Sequence, residues 1–354
     1  MGEIGESFIG LTYKPTDVVS EGGLIVFRSS NIQNGCMDYK DIVRVNKNVK
    51  EKLITKKDDL LVCARNGSAR LIGKNAILHE IDANQTFGAF MMVFRSDINH
   101  FVHQLLNTRR YSSQVSENLG ARINQITSSD LSSFEFFFPK ENSEMNKIAA
   151  LLDLLDERIA TQNKIIDKLQ SLIKGIRNDV FGKLRKDIGL NAKVGDVLSY
   201  EQPQPYIVED TEYTAGGTPV LTANKAFVLG YTSETDGIYD KGDCIIFDDF
   251  TLDCKYVDFP FKVKSSAIKI LTAKNKELLR YTFEFLKYLD LSTDEHKRHY
   301  IAETQNQEFI LPTTQIVRTI AHAFSTLSSR MQTIVKQRDM LELQKQYLLR
   351  QMFI

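Results

Sequence analysis

The feature of the sequence that most constrains its fold is an internal repeat. Residues 147–181 align without a gap on residues 319–353, and the match includes Arg158 on Arg330. Before each copy lies a stretch of mixed composition that ends in an apolar segment and a proline. A repeat of this length predicts two copies of one structural unit, each closed by the same kind of segment.

Both copies of the repeat carry apolar residues at alternating spacings of four and three, which is the pattern of a helix-pairing seam. An apolar helix face of this length does not stay in water, and two equivalent units pack most simply about a pseudo-two-fold axis, which makes the helices antiparallel. In that register Gln162 faces Arg338, and the polar pair would fix the register. Two unrelated core helices are the alternative, but they leave the matched length unexplained. The seam consists of Ile148, Leu152, Leu155, Ile159, Gln162, Ile166, Leu169 and Ile173 in the first helix and Ile320, Phe324, Leu327, Met331, Arg338 and Leu341 in the second.

The remainder of each half is typical of mixed strands and helices. We therefore predict an α+β protein in which two repeated globular α/β domains are separated by two long antiparallel coiled-coil helices. The predicted strands are 24–27, 60–64, 90–94, 134–138, 219–222, 244–247 and 267–271, and shorter helices are predicted at 98–106 and 277–289. The predicted boundaries are 1–143 for the first domain, 144–186 for the first helical region, 187–312 for the second domain and 313–354 for the second helical region.

The composition narrows the possible functions. The 354 residues include 45 basic and 45 acidic side chains, so any DNA-binding surface must be local rather than a property of the overall charge. No apolar run is long enough to span a bilayer, and the four cysteines lack metal-ligand spacing, which suits reduced thiols in a cytoplasmic protein. The paired histidines His100 with His103 and His296 with His299 are more typical of ordinary surface positions than of zinc ligands. We predict no metal site.

Motifs for common catalytic chemistry are missing from the sequence. The segment 67–75 resembles a phosphate-binding loop, but five residues rather than four lie between its glycines, and Asn75 stands where magnesium needs a hydroxyl. The nearest approach to a nuclease site is Asp248 and Asp253 with Lys255, although acidic residues near a lysine are common by chance. The sequence therefore predicts no catalytic residue, with a magnesium-dependent nuclease as the alternative.

Polar and basic residues cluster instead in segments that follow predicted strands. Arginine and asparagine can form paired hydrogen bonds with base edges, while serine and lysine suit phosphates. Each cluster alone is more typical of a solvated surface, but recurrence in both halves favours DNA binding. The predicted DNA-binding residues are Arg28, Ser30, Asn31, Arg65, Asn66, Arg70, Lys74, Arg109, Arg110 and Arg122 in the first half, and Asn224, Lys225, Lys262, Lys264, Lys297 and Arg298 in the second.

Five short segments carry a resemblance to a known protein family. They are 22–35, 57–61, 86–90, 120–139 and 147–156. With these segments the chain resembles the DNA specificity subunits of type I restriction-modification systems, over essentially its whole length. The resemblance implies that each globular domain is a target recognition domain reading half of a split double-stranded DNA sequence. It also implies that the long helices dock methyltransferase (modification) subunits.

The same resemblance implies that the chain itself is not catalytic and carries no cofactor. S-adenosylmethionine, ATP and magnesium would belong to partner subunits, namely the methyltransferase subunits and the restriction/translocase subunits. Two other functions compete with this interpretation. One is an autonomous magnesium-dependent nuclease, and the other is a structural coiled-coil protein with no DNA role.

Overall fold

The computed structural model describes residues 1–121, 124–223, 226–293 and 297–353. The chain forms two compact units: unit 1 contains residues 1–164 and 336–354, and unit 2 contains residues 165–335. Strands and helices are mixed in both, so the predicted α+β class is confirmed. Within the described part, no helix is long and apolar enough to cross a membrane.

Unit 1 contains two four-stranded sheets and a hairpin. Its main sheet is antiparallel with strand order β1-β10-β7-β8, the second has order β2-β6-β3-β9 with β3 parallel to β9, and β4 pairs with β5. The strands are β1 Glu6–Ile9, β2 Val18–Val19, β3 Leu24–Phe27, β4 Ile32–Gln33, β5 Cys36–Met37, β6 Val43–Val45, β7 Leu60–Cys63, β8 Asn75–Ile77, β9 Thr86–Phe87 and β10 Met91–Arg95. The helices are α1 Asn99–Leu105, α2 Arg109–Ala121, α3 Ser128–Ser133 and the first part of α4 Asn142–Asp187. Short 3-10 turns lie at Pro15–Asp17, Ser29–Asn31, Glu51–Leu53, Ala69–Leu71 and Glu80–Asp82.

Strand β7 lies at the centre of unit 1 because both of its faces are apolar. Alternate side chains of a strand point to opposite faces. Leu60 and Val62 accordingly pack into a core covered by α1 and α2, while Leu61 and Cys63 pack into a second core shared with the other sheet. Each fully buried leucine or valine stabilises the fold by about 1.5–3 kcal/mol. Because β7 is packed on both faces, it holds the start of the following loop in a defined position.

Unit 2 repeats this plan. Its main sheet has order β12-β18-β15-β16, so β15 occupies the place that β7 has in unit 1, and its second sheet has order β14-β13-β17 with β13 parallel to β17. The strands are β11 Ala192–Lys193, β12 Leu198–Glu201, β13 Thr218–Leu221, β14 Val228–Thr232, β15 Cys244–Asp248, β16 Cys254–Val257, β17 Lys262–Val263, β18 Ile268–Ala273 and β19 Glu308–Phe309. The helices are α5 Val194–Val197, α6 Leu278–Leu289 and the first part of α7 Thr314–Met352, with 3-10 turns at Gln204–Tyr206 and Thr304–Asn306.

In unit 1 the first part of α4 packs against the last part of α7. The Nζ of Lys345 lies 2.6 and 2.7 Å from the two carboxylate oxygens of Asp156, and Nη1 of Arg338 lies 3.5 Å from Oδ1 of Asn163. Residue numbers rise along α4 and fall along α7 between these contacts, so the two segments are antiparallel, as the seam predicts. The apolar cluster between them contains Ile148, Leu152, Leu155, Ile159, Leu341, Leu348, Leu349 and Phe353.

In unit 2 the long helices are held together with α6. Glu284 of α6 is buried, and its carboxylate oxygens lie 2.8 Å from Arg177 of α4 and 2.7 Å from Arg280. The Arg177 guanidinium also lies over the ring of Phe324 of α7, 5.7 Å from its centroid. A carboxylate between two guanidiniums is well paired despite its burial. Among the seam residues here, Ile166, Ile173 and Phe324 are buried, while Leu169, Ile320, Leu327 and Met331 are half-buried.

Two details of the predicted elements are wrong. The segment 134–138 is not a strand, because side chains and the N-terminus take its backbone groups: Met1 donates to the Phe134 carbonyl, and the Glu135 backbone bonds with Gln114. Gln162 does not bond with Arg338, whose guanidinium binds Asp339 and reaches Asn163. A charge-assisted hydrogen bond is stronger than one to a neutral amide, so Arg338 turns towards the carboxylate.

Candidate nucleic-acid interface

The loop after β3 uses most of its predicted DNA-binding groups to hold its own shape. Asn31 is 1% exposed, and its amide nitrogen donates to the carbonyls of Asp38 and Asp41 at 3.0 and 2.9 Å. Arg28 pairs with the Asp41 carboxylate at 2.7 Å, and Ser30 is half-buried. The prediction that Asn31 reads a base does not fit this position, because a buried amide with bound hydrogens cannot reach DNA.

The loop after β7 is braced from two sides. Asn66 donates to Oγ of Ser29 at 3.0 Å and accepts from the backbone N–H of Ser68 at 3.0 Å. Asn124 donates to the Gly67 carbonyl at 3.0 Å. The loop is therefore fixed to the preceding loop by side-chain hydrogen bonds, which favours a defined orientation for the residues beside it.

Arg65 and Arg70 are the exposed cations of this braced loop. The Arg65 guanidinium lies 5.3 Å from the ring centroid of Phe90, which is 58% exposed. The described residues provide no hydrogen-bond acceptor for the guanidinium of either arginine. Phe90 precedes β10 and is absent from the predicted site, since only the folded chain brings it beside Arg65. No local sequence signal links the two residues, because both the exposure of the ring and its contact with Arg65 arise from the fold.

Lys74 follows the same loop but turns inward. Its Nζ donates to the Ile32 carbonyl at 2.8 Å, and burial lowers the pKa of this amine. The side chain ties the segment before β8 to the loop after β3. Lys74 thus stabilises the two loops through this hydrogen bond, and its charge is not presented to a ligand.

Arg109 and Arg110 lie at a separate place, the start of α2. Nε of Arg110 donates to the Glu135 carbonyl at 2.7 Å, and its guanidinium covers the ring of Phe137 at 4.8 Å. Both arginines line a cavity of about 450 Å³ with Arg350 of α7. Arg122, also predicted to bind DNA, lies outside the described residues.

In unit 2 the structure separates the predicted lysines. Lys262 is 3% exposed; its Nζ lies 2.5 Å from the Glu234 carboxylate and donates to the Asp236 carbonyl. That amine cannot reach a ligand, so the prediction that Lys262 binds DNA does not fit its burial. Lys264 is exposed and lies 6.0 Å from the ring of Tyr213. Asn224 and Lys225 lie outside the described residues.

A second arginine and phenylalanine meet at the end of β15. The Arg298 guanidinium lies 5.9 Å from the ring centroid of Phe250, which is 36% exposed. The neighbouring Lys297 pairs with Glu303 at 2.8 Å. Arg298 is thus the exposed guanidinium at this strand end, as Arg65 is at the equivalent end of β7.

The carboxylates of the alternative nuclease site are engaged in holding the fold. Oδ1 of Asp248 accepts from the backbone N–H groups of Phe250 and Thr251, both at 2.9 Å. Asp253 lies between Lys287 at 2.8 Å and Lys255 at 3.5 Å. Within the described ranges, no group of three or more histidines, cysteines, aspartates and glutamates could hold a metal ion. These carboxylates shape a turn and pair with lysines.

Of the paired histidines, the first pair is structural. Burial lowers the pKa of His103 to about 4, so its ring is neutral at pH 7, and its Nδ1 lies 2.8 Å from Oδ1 of Asn75. Nδ1 of His100 lies 2.6 Å from Asp153 of α4, and this contact raises the pKa of His100. His103 is therefore a core residue rather than the surface residue that the sequence suggests. His299 is also buried, and His296 lies outside the described residues.

Taken together, the fold and its strand-end loops define a duplicated α+β binding protein with long paired helices. The comparisons with known proteins agree with this class. Residues 1–171 match the family of the Type I restriction modification DNA specificity domain. The N-terminal part of the chain thus matches this type I restriction-modification specificity family.

Individual relatives give the extent of the likeness. The chain is 45% identical over 126 residues to the Type I restriction enzyme EcoR124I/EcoR124II specificity subunit of Escherichia coli, which covers 34% of this chain and 31% of that protein. It is 29% identical over 181 residues to the EcoKI specificity subunit of Escherichia coli K12, which covers 49% of this chain and 39% of that protein. The matches thus span less than half the length of these curated relatives. The structure of a Type-I restriction-modification system S subunit from M. genitalium has the same fold, with a TM-score of 0.66 and 16% identity over 100% of this chain and 94% of that one.

Proposed function

We propose that the chain binds double-stranded DNA sequence-specifically, as the specificity subunit of a type I restriction-modification complex. Each unit reads one half of a bipartite target. The observation that carries the proposal is the repeated sheet order, with an exposed arginine at the end of the same strand in both units. Arginine is the side chain that most often makes a specific contact in the major groove.

The proposal assigns recognition without chemistry to this chain. Methyltransferase subunits would supply S-adenosylmethionine-dependent methylation, and restriction/translocase subunits would supply ATP- and magnesium-dependent cleavage, in the cytoplasm. The equal numbers of acidic and basic residues are compatible with this division, because partner subunits can contribute the rest of a basic channel around the duplex.

The exposed side of the long helices supports a docking role. On α7, Met340, Leu343 and Tyr347 are all more than 60% exposed and recur at helical spacing. On α4, Leu154 of the same unit is 54% exposed. A large exposed apolar surface on a soluble protein marks an interaction site. We therefore assign this face to a methyltransferase subunit.

The test is a selection from 40-base-pair duplexes with randomised bases, followed by fluorescence anisotropy on the selected sequence. It is done with the chain alone and with co-expressed methyltransferase subunits. The expected result is a target in two separated halves, and a scrambled duplex bound at least about 10³-fold more weakly. Equal binding to selected and scrambled duplexes in both forms would contradict the proposal.

The docking face has its own test. Leu343→Glu should abolish co-purification of the methyltransferase subunits, since a carboxylate cannot be buried there without a partner. Gln337→Glu, an exposed position on the same helix, is the matched control for the added charge. Retention of the partner by the Leu343 variant would place the docking face elsewhere.

A further inference from the structure

Several arginines in the described part of the chain lie over aromatic rings, but they differ in what their N–H groups do. In most of them the planar fork of donors is already bound inside the protein. Arg95 binds Asp59, Arg177 and Arg280 bind Glu284, and Nε of Arg110 binds the Glu135 carbonyl. For Arg65 and Arg298 the described residues provide no such acceptor. The N–H groups of these two guanidiniums are therefore available to a ligand, while each guanidinium lies over a phenylalanine ring.

Stacking and hydrogen bonding use different parts of a guanidinium. The ring attracts the positive charge of the guanidinium, and Cζ of Arg65 and of Arg298 lies 5.3 and 5.9 Å from a ring centroid. The five N–H donors lie in the guanidinium plane, so an arginine held over a ring keeps them available for two parallel hydrogen bonds. N7 and O6 of guanine in the major groove are the matching pair of acceptors.

The two arginine–phenylalanine pairs occupy equivalent places in the two units. Arg65 comes from the segment after β7 and Phe90 from the turn before β10. At the end of β15 the contributions are exchanged, because Phe250 follows the strand and Arg298 comes from the segment beyond α6. The same pairing reached from different segments points to a requirement of the site rather than to inheritance of one loop.

Backbone hydrogen bonds tie the two members of each pair together. In unit 1 the N–H groups of Ala64 and Arg65 both donate to the Phe90 carbonyl at 3.0 Å. In unit 2 Oδ1 of Asp249, next to Phe250, accepts from the N–H groups of His299 and Tyr300 at 3.1 and 2.8 Å. In both units, hydrogen bonds therefore join the chain segment that carries the phenylalanine to the segment that carries the arginine.

We propose, as a deepening of the proposed function on which it rests, that Arg65 and Arg298 each read one guanine, one in each half of the target. Phe90 and Phe250 are positioning residues that hold the guanidinium edge towards the major groove. Neither phenylalanine needs to contact the base. The pair sets which base is accepted at one position of each half-site.

The experiment uses the full chain, in the form that selects a sequence, and the selected duplex with single guanines replaced by 7-deazaguanine. This analogue lacks the N7 acceptor and keeps normal pairing. One replacement in each half should weaken binding of the unaltered chain by about tenfold or more. Arg65→Ala should remove the effect of the analogue at one of these guanines, and Arg298→Ala should remove it at the other, because alanine has no donor for N7.

The positioning role has a separate readout. Phe90→Leu should reduce the discrimination between guanine and adenine at the base pair that Arg65 contacts, and should leave the preference at every other base pair unchanged. Phe137→Leu is the matched control, since its ring lies under Arg110, whose Nε is already bound, and it should leave every base preference unchanged. Circular dichroism verifies that each variant is folded.

The outcomes separate the two proposals. If the chain selects no sequence, the proposed function and this inference both fail. If it selects a sequence but no 7-deazaguanine weakens binding, or if Arg65→Ala weakens binding to all duplexes equally, the arginines do not read guanine and only this inference is overturned. The inference is supported if 7-deazaguanine weakens binding of the unaltered chain at one guanine in each half and has no effect there on the matching alanine variant.

Discussion

The ends of β7 and β15 occupy the same place in their sheets, yet they carry opposite charges. After β7 come Arg65 and the polar Asn66, exposed or half-buried at the surface. At the end of β15 come Asp248 and Asp249, both buried. Asp249 lies 3.5 Å from the buried amine of Lys269, whose pKa is lowered by burial.

The difference shows that one scaffold can present an arginine in two ways. In unit 1 the strand end is itself the reading loop, and a neutral side-chain brace from Asn66 to Ser29 suffices to fix it. In unit 2 the strand end is an anchor, and its carboxylate fixes the main chain directly after Arg298. Both strand ends thus carry an exposed guanidinium, but different groups hold the loops in place.

The largest expected effect comes from removing the unit 2 anchor. Asp249→Ala leaves Lys269 buried without its ion partner and the backbone N–H of Tyr300 unpaired, while the N–H of His299 keeps the Asp249 carbonyl. The substitution should destabilise the protein by about 3–5 kcal/mol. The equivalent brace in unit 1, tested by Asn66→Ala, should cost only about 1 kcal/mol. Urea unfolding of both variants gives the comparison. Equal costs would show that the two strand ends are supported alike.

The next comparison concerns how each unit holds its long helices. Glu284→Ala strands two largely buried guanidiniums and should cost about 3 kcal/mol. Lys345→Ala removes a partner from Asp156, whose side chain is 28% exposed, and should cost about 1 kcal/mol because water can solvate that carboxylate. Thermal unfolding followed by circular dichroism measures both. A larger loss for the lysine variant would reverse this ranking.

A smaller effect should separate Arg28 from Arg65 in DNA binding. Nη2 of Arg28 is bound to the Asp41 carboxylate and carbonyl, and its Nε is buried, so Arg28→Gln should leave base preference unchanged and alter affinity less than twofold. Arg65→Gln should change preference at one base pair by about tenfold or more. Anisotropy titrations on the selected target and its single-base variants test the contrast. A base-specific change from Arg28 would mean that its pairing with Asp41 opens on DNA.

The smallest expected effect is the pH dependence of unit 1. The hydrogen bond from Asp153 raises the pKa of His100 above its usual value of 6.5, so the folded state favours the protonated ring. This stabilisation is complete below about pH 6.5 and is lost as pH rises through the raised pKa. Because the ring is half-exposed, it amounts to less than about 1 kcal/mol.

The measurement is the free energy of unfolding of His100→Gln and the unaltered chain between pH 5.5 and 8.5. Their difference should shrink as pH increases. His322→Gln, at an exposed position on α7, is the matched control for the substitution itself. A gap that widens with pH would contradict the assignment of the charged ring to the folded state.

Regular elements of this fold were predictable because their patterns are local. Alternating spacings of four and three predict the long helices, and buried runs such as 60–63 predict the central strands. The segment 134–138 has the same apolar look, but its backbone groups meet side chains from α2 and the N-terminus instead of a neighbouring strand. No local pattern contains that information.

The candidate site was predictable in its arginines but not in its support. Arg65 and Arg298 stand out as basic residues beside turn signals. Asn31 and Lys262 look the same in sequence, and only the fold reveals that their polar groups are consumed inside the loops. Phe90 is distant in the chain from Arg65, so the pair exists only once the sheet has formed.

The division of the chain has a consequence for its synthesis. Unit 2 is built from one continuous stretch, whereas unit 1 needs residues 336–353 to cover the apolar face of the early part of α4. During translation from the N-terminus, the sheets of unit 1 emerge first, but unit 1 is complete only when residues 336–353 have followed. The second unit can therefore be complete while the first still exposes leucines of α4, until residues 336–353 have left the ribosome and cover them.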